Sequence, residues 1–186
     1  MNLFELNEKI FYVINQKMAN PFLDFFVLFV LIPMCSLFVL VPVYFFYKGK
    51  KFLAIYTLFC GFFLYWLGHS IFKPIFHIPR PAVLFENVRK VGPWHESSFS
   101  FPSTTTMLVF GFALPIYFHQ KRIGKFLLFL AFLVSISVIY CGFHTPLDVL
   151  AGILFSFLIV LLFEKIFTIP ENYSVLNSKK NENFRN

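Results

Sequence analysis

Charge is scarce in this chain. Only 13% of its 186 residues are Asp, Glu, Lys or Arg, and only 9 are acidic. An ordinary soluble domain carries about 25% charged residues. Cysteine is scarce as well. Cys35, Cys60 and Cys141 are odd in number, widely spaced and set in apolar surroundings. They form no disulfide framework and no metal-ligand spacing, and read as small apolar fillers. No internal repeat is visible. No cleavable signal peptide opens the chain, because Glu5, Glu8 and Lys9 interrupt its first apolar stretch.

Apolar content is what remains. Hydrophobic residues make up 58%, 30 of them Phe, and the mean hydropathy is +0.73. That composition excludes a disordered chain. Five stretches approach the roughly 20 helical residues that cross a bilayer: 22–47, 52–72, 102–118, 126–143 and 147–167. Each is continuous rather than alternating, so helices are predicted, not a barrel. Residues 3–18 differ. Leu3, Leu6, Ile10, Phe11 and Ile14 recur at helical spacing with Glu5, Glu8, Lys9 and Lys17 between them. This predicts an amphipathic helix lying in the interface. The fold class is therefore an all-α integral membrane bundle of about five spans plus an interfacial N-terminal helix.

The formal charge of +7 raises nucleic-acid binding as a function. The positions of the cations argue against it. Lys48, Lys50, Lys51, Lys121, Arg122, Lys125, Lys165, Lys179, Lys180 and Arg185 fall on one side of a five-span chain. The other side holds Lys9, Lys17, Lys73, Arg80, Arg89 and Lys90. The positive-inside rule places the richer set in the cytoplasm. No nucleic acid is expected as a partner, and the C-terminus is expected to be cytoplasmic.

Nearly all remaining polar chemistry lies on the opposite, outer side, in three clusters. Lys73 to Pro81 reads KPIFHIPRP. Its prolines argue for a fixed, non-helical shape, and Lys73 and Arg80 are cations suited to phosphate. The plain alternative is a pair of snorkelling side chains. Ser98 to Met107 reads SFSFPSTTTM. Pro102 suits a first helical turn with Ser100 as its cap. The N–H groups of Ser103, Thr104 and Thr105 would then form an anion site. Tyr140 to Gly152 reads YCGFHTPLDVLAG. His144 and Asp148 suit a nucleophile or base oriented by a carboxylate, while Thr145 and Asp148 equally suit a helix-capping box.

In order and spacing these blocks resemble the type 2 phosphatidic acid phosphatase superfamily, membrane relatives of the vanadium haloperoxidases. The family pattern is K-x6-RP, then PSGH, then SR-x5-H-x3-D. Lys73, Arg80 and Pro81 match the first block, Pro102 and Ser103 begin the second, and Ser137, His144 and Asp148 match the third. Gly142 and the continuation through Gly152 agree as well. The resemblance implies a single membrane phosphatase-like domain over residues 1–170, and the Asn, Ser, Lys and Glu of 171–186 predict a polar, disordered tail after it. It implies a phosphorylated lipid as substrate, surrounding membrane lipids as partners, and no metal or other cofactor. By resemblance His144 attacks phosphorus and forms a phosphohistidine, and Asp148 orients it. Lys73, Arg80, Ser103 and Thr104 bind the phosphoryl group. The active site would face the periplasm or exterior of a bacterial cytoplasmic membrane.

Two positions depart from that pattern. Thr105 stands where the family has its general-acid histidine, and Val138 where it has a phosphate-binding arginine. General acids contribute about 10²–10⁴-fold. Loss of the acid favours a diphosphate, whose leaving phosphate needs less protonation, or requires a substitute acid from His95 or His77. The alternative is a catalytically impaired member that binds or transports lipid phosphates.

Overall fold

The computed structural model describes residues 2–92 and 99–167. Helix α1 spans Leu3–Tyr12 and continues through a wider π turn, Val13–Lys17. Its inward face is mixed: Phe11 and Asn15 are fully buried and Asn7 nearly so, while Phe4 is 76% exposed. Asn20 caps the next helix, its side chain accepting from Leu23 N–H at 2.9 Å, with Pro21 in the first turn. The chain bends by 99° there, which lays α1 across the end of the bundle.

The run 22–47 is not one helix, as its hydropathy predicts. It comprises α2 (Pro21–Phe26), a π turn, α3 (Ile32–Leu37) and α4 (Leu40–Tyr47). The break falls one turn before Pro42, which has no N–H to give the Phe38 carbonyl. Val41 N–H takes that carbonyl instead, at 3.3 Å. Helix α5 (Lys51–Leu67) runs on through a π turn, Gly68–Phe72, into α6 (Lys73–Phe76). Lys73 therefore lies in a helix, contrary to the expected non-helical shape. Pro74 sits in the first turn of that short helix, and the wider turn precedes it. Only His77, in a left-handed conformation, to Arg80 is irregular before α7 (Pro81–Leu84).

Three long helices complete the chain: α8 (Thr104–His119), α9 (Lys121–Tyr140) and α10 (Pro146–Ile166). The basic stretch after His119 is not a loop; α9 begins at Lys121. Helix α8 has 16 residues, short for a span, but it is apolar all round and sits at the centre of the bundle. Its Met107, Val109, Phe112 and Ile116 pack with Leu64 of α5, Val134 of α9 and Val160 of α10. Gly152 brings α10 onto the start of α8, where a Cβ would lie 2.9 Å from the Ser103 carbonyl oxygen. Among the described residues, three helices are long and apolar enough to cross a membrane, four if the bent N-terminal pair is one span. No strand occurs among them. The chain is an integral membrane helical bundle.

Polar side chains of the N-terminal segment hold this bundle end together. Asn15 Nδ2 donates to the carbonyls of Arg89 and Tyr140, both at 2.8 Å, and its Oδ1 accepts from Arg89 N–H at 3.0 Å. Arg89 in turn pairs with Asp24 at 2.7 Å and lies over the Tyr140 ring. A buried polar group left without its partner costs about 1–3 kcal/mol. Asn15→Ala is therefore expected to lower the melting temperature in detergent by several degrees, with exposed Gln16→Ala close to unchanged. Equal melting of the two variants would show that the Asn15 contacts carry no net stability.

Candidate active site

Helix ends bring the three polar clusters together. Arg80 leaves the irregular stretch after α6 in an extended conformation. The α9–α10 turn is made by Gly142 at φ +80, where a Cβ would meet the Arg89 carbonyl oxygen at 2.6 Å. Only glycine suits both the left-handed backbone and that approach. The turn delivers His144 immediately before α10. Thr145 and Asp148 then form the capping box: Asp148 N–H donates to Thr145 Oγ1 at 3.3 Å, and Thr145 N–H to Asp148 Oδ2 at 2.7 Å. The cap and the site thus share one carboxylate.

His144 is 2% exposed, and its two ring nitrogens face different groups. Arg80 Nη1 approaches Nε2 at 3.1 Å and donates to the Phe143 carbonyl at 2.9 Å. Because a guanidinium only donates, Nε2 is the acceptor and the ring proton is on Nδ1. Nδ1 lies 3.6 Å from Asp148 Oδ2. Burial pushes the imidazole pKa down to about 4, Arg80 and Lys73 push the same way, and the Asp148 carboxylate opposes them. His144 is a neutral base at physiological pH. Lys73 and Arg80 are both buried beside it, an arrangement suited to an anion.

The start of α8 differs from its expected form. Ser103, not Ser100, is the N-cap, and its hydroxyl accepts from Thr106 N–H at 3.3 Å. Pro102 precedes the helix rather than opening it. Ser103 N–H is not available to a ligand, since it donates to the Asp148 carbonyl at 3.0 Å. Thr104 is buried and Thr105 half-buried in the first turn of α8, where backbone N–H groups lack helical partners. Ser100 instead donates its hydroxyl to Asp148 Oδ2 at 2.6 Å.

Other candidates lie elsewhere. His77 is exposed, its ring against Phe99. Val138 is 3% exposed and packs with Phe11, Ile139 and Val149, so an apolar cluster fills that position. His95 and the 171–186 tail lie outside the described residues. Sequence reasoning passed over Asn7, whose Oδ1 accepts from Leu147 N–H at 2.9 Å in the first turn of α10. A lone Asn on an amphipathic helix carries no signal that it faces inward.

Comparison with known proteins agrees with this architecture. Residues 50–169 match the family model described as "PAP2 superfamily". The crystal structure of Aquifex aeolicus LpxE superposes with a TM-score of 0.72 at 32% identity, covering 86% of this chain and 95% of that one. The bacitracin transport permease protein BcrC of Bacillus licheniformis is 40% identical over 90 residues, which is 48% of this chain and 40% of BcrC. The putative undecaprenyl-diphosphatase YbjG of Escherichia coli is 36% identical over 89 residues, 47% of this chain and 41% of YbjG. The chain thus spans less than half the length of these curated relatives. Matching the family model over most of its length, with a helical bundle that gathers the motif residues at one end, the chain belongs to the PAP2 superfamily.

Proposed function

We propose that this protein removes phosphate from a lipid phosphate or diphosphate through a phosphohistidine on His144. The observation that carries the reading is the buried imidazole whose Nε2 meets Arg80 at 3.1 Å. At rest the guanidinium covers the Nε2 lone pair. An entering phosphoryl group competes for Arg80, since a charge-assisted contact to phosphate is stronger than one to a neutral nitrogen. Nε2 is then free to attack. The Nε2–P bond forms, the P–O bond to the leaving group breaks, and Lys73 and Arg80 hold the phosphoryl oxygens. Water next attacks phosphorus and restores neutral His144. Thr104 and Ser103 shape the approach to the helix start.

Thr105 supplies no proton of the kind a histidine would, so diphosphates are the preferred substrates: their leaving phosphate is a weaker base than a lipid alkoxide. The printed name of YbjG points to the same substrate class. The distribution of Lys and Arg supports a site on the outer face of the cytoplasmic membrane, with the C-terminus inside. The test is phosphate release in detergent from farnesyl diphosphate, phosphatidic acid and phosphatidylglycerol phosphate. Release from the diphosphate is expected to exceed release from both monoesters. Equal rates would sink the preference.

The pH profile carries its own sign. In the free enzyme His144 loses its nucleophilic lone pair only below its pKa of about 4. The acid limb of kcat/KM is therefore expected near pH 4, not near the ordinary histidine value of about 6.5. The depressed value also makes unfolding take up a proton between those limits, so stability falls as pH drops through that window. An acid limb at about 6.5 would contradict the buried neutral imidazole.

A second reading has its own support. Val138 and Thr105 together remove two groups of the family's site, which suits a member that binds lipid phosphates without turnover. It predicts saturable binding with no phosphate release from any of the three substrates.

A further inference from the structure

Ser100 touches all three parts of the site. Its backbone N–H donates to the Ile78 carbonyl at 2.7 Å, which ties it to the stretch presenting Arg80. Its hydroxyl lies 2.6 Å from Asp148 Oδ2 and 3.4 Å from His144 Nδ1. The residue is fully buried. A hydroxyl carries one proton and two lone pairs. The short contact to the carboxylate takes the proton, in preference to the Phe143 carbonyl at 3.5 Å. A lone pair then faces the Nδ1 proton. The Nδ1–Oδ2 separation of 3.6 Å and the Nδ1–Oγ separation of 3.4 Å are both longer than the roughly 2.7–3.2 Å of a good N–H···O bond. The Nδ1 proton is thus shared between the carboxylate and the hydroxyl bonded to it.

We propose that Ser100 is a positioning residue for phosphoryl transfer: its hydroxyl links His144 Nδ1–H to the Asp148 carboxylate and holds Nε2 toward the substrate. This rests on the reading of His144 as nucleophile and adds a third member to the pair. During transfer the Nε2–P bond forms and the P–O bond to the leaving group breaks, the leaving group taking the electron pair. The proton stays on Nδ1, so the ring becomes cationic. Asp148 stabilises that charge through the Ser100 oxygen as well as directly. On hydrolysis the water oxygen bonds phosphorus, its proton goes to solvent, and Nε2 regains its lone pair. Ser100 acts on the imidazole and not on the phosphoryl oxygens, so its removal lowers the transfer rate and leaves substrate binding by Lys73 and Arg80 intact.

The test is single-turnover labelling with farnesyl diphosphate radiolabelled in its terminal phosphate, quenched in alkaline detergent because the P–N bond of a phosphohistidine is acid-labile, with wild type measured first. Ser100→Ala is expected to slow phosphohistidine formation about 10–100-fold, the scale of a hydrogen bond to a charged group, with KM within about twofold. Ser100→Cys keeps the shape with a weaker donor and is expected to fall between. In an Asp148→Asn background the serine change is expected to matter less than about threefold, because the two residues act as one chain. Wild-type labelling by Ser100→Ala, or equal losses in both backgrounds, would overturn the role. Turnover by wild type without any phosphohistidine would overturn the nucleophile reading itself, and the bridge with it.

Discussion

His144→Ala is expected to reduce phosphate release from farnesyl diphosphate by about 10⁴-fold or more, the scale on which covalent nucleophiles act in other enzymes. The geometry isolates the loss to chemistry. Without the imidazole, Arg80 keeps its 2.9 Å bond to the Phe143 carbonyl, and Asp148 keeps Ser100 and Thr145 N–H. Arg80 therefore remains placed, and competitive inhibition by inorganic phosphate on residual binding is expected to persist. The measurement is phosphate release alongside alkali-quenched labelling, with a thermal melt to show the variant is folded. A folded variant that still hydrolyses the diphosphate would rule out His144 as the attacking group.

Thr105→His is expected to raise hydrolysis of phosphatidic acid by about 10²–10⁴-fold, the usual contribution of a general acid. The diphosphate rate should change far less, because its leaving group needs the proton less. Position 105 is half-buried at the first turn of α8, so a larger side chain has room to reach outward. Position 138 behaves differently. Val138 is packed among Phe11, Ile139 and Val149, and an arginine there buries a charge in an apolar cluster, at several kcal/mol. Val138→Arg alone is therefore expected to destabilise the bundle without restoring activity. Pairing it with Phe11→Ala opens the space that a guanidinium needs. The measurement is the ratio of monoester to diphosphate turnover in each variant. An unchanged ratio in Thr105→His would show that leaving-group protonation does not limit this enzyme.

Much of the site was legible because its chemistry is local in sequence. His144 and Asp148 are one helical turn apart, and the capping box that starts α10 uses the same carboxylate that faces the imidazole. Lys73 and Arg80 flank a proline-rich turn that marks itself. The span pattern was legible for the same reason: lipid demands long apolar helices whatever their partners. Proline placement was read less well. Pro42 breaks the first run and Pro74 stays inside a helix, because the outcome depends on which carbonyl finds another donor.

The remainder depended on contacts between residues distant in the chain. Ser100 looked like a helix cap, since a serine before a proline-started helix usually is one. Only the approach of α10 to α8 at Gly152, and the Ile78 carbonyl, turns its hydroxyl toward Asp148 instead. Asn15 lies within the stretch whose pattern predicts an interfacial helix, yet it is buried against Arg89 and Tyr140. The sequence by itself determined that this chain is a membrane helical bundle whose motif cations and His144 share one end, because hydropathy and motif spacing are properties of neighbouring residues. The tertiary structure alone decided which hydroxyl reaches the carboxylate, which nitrogen of His144 is covered by Arg80, and that an apolar cluster fills the place of the missing arginine. Those are facts of distance between helices, and no periodicity along one chain encodes them.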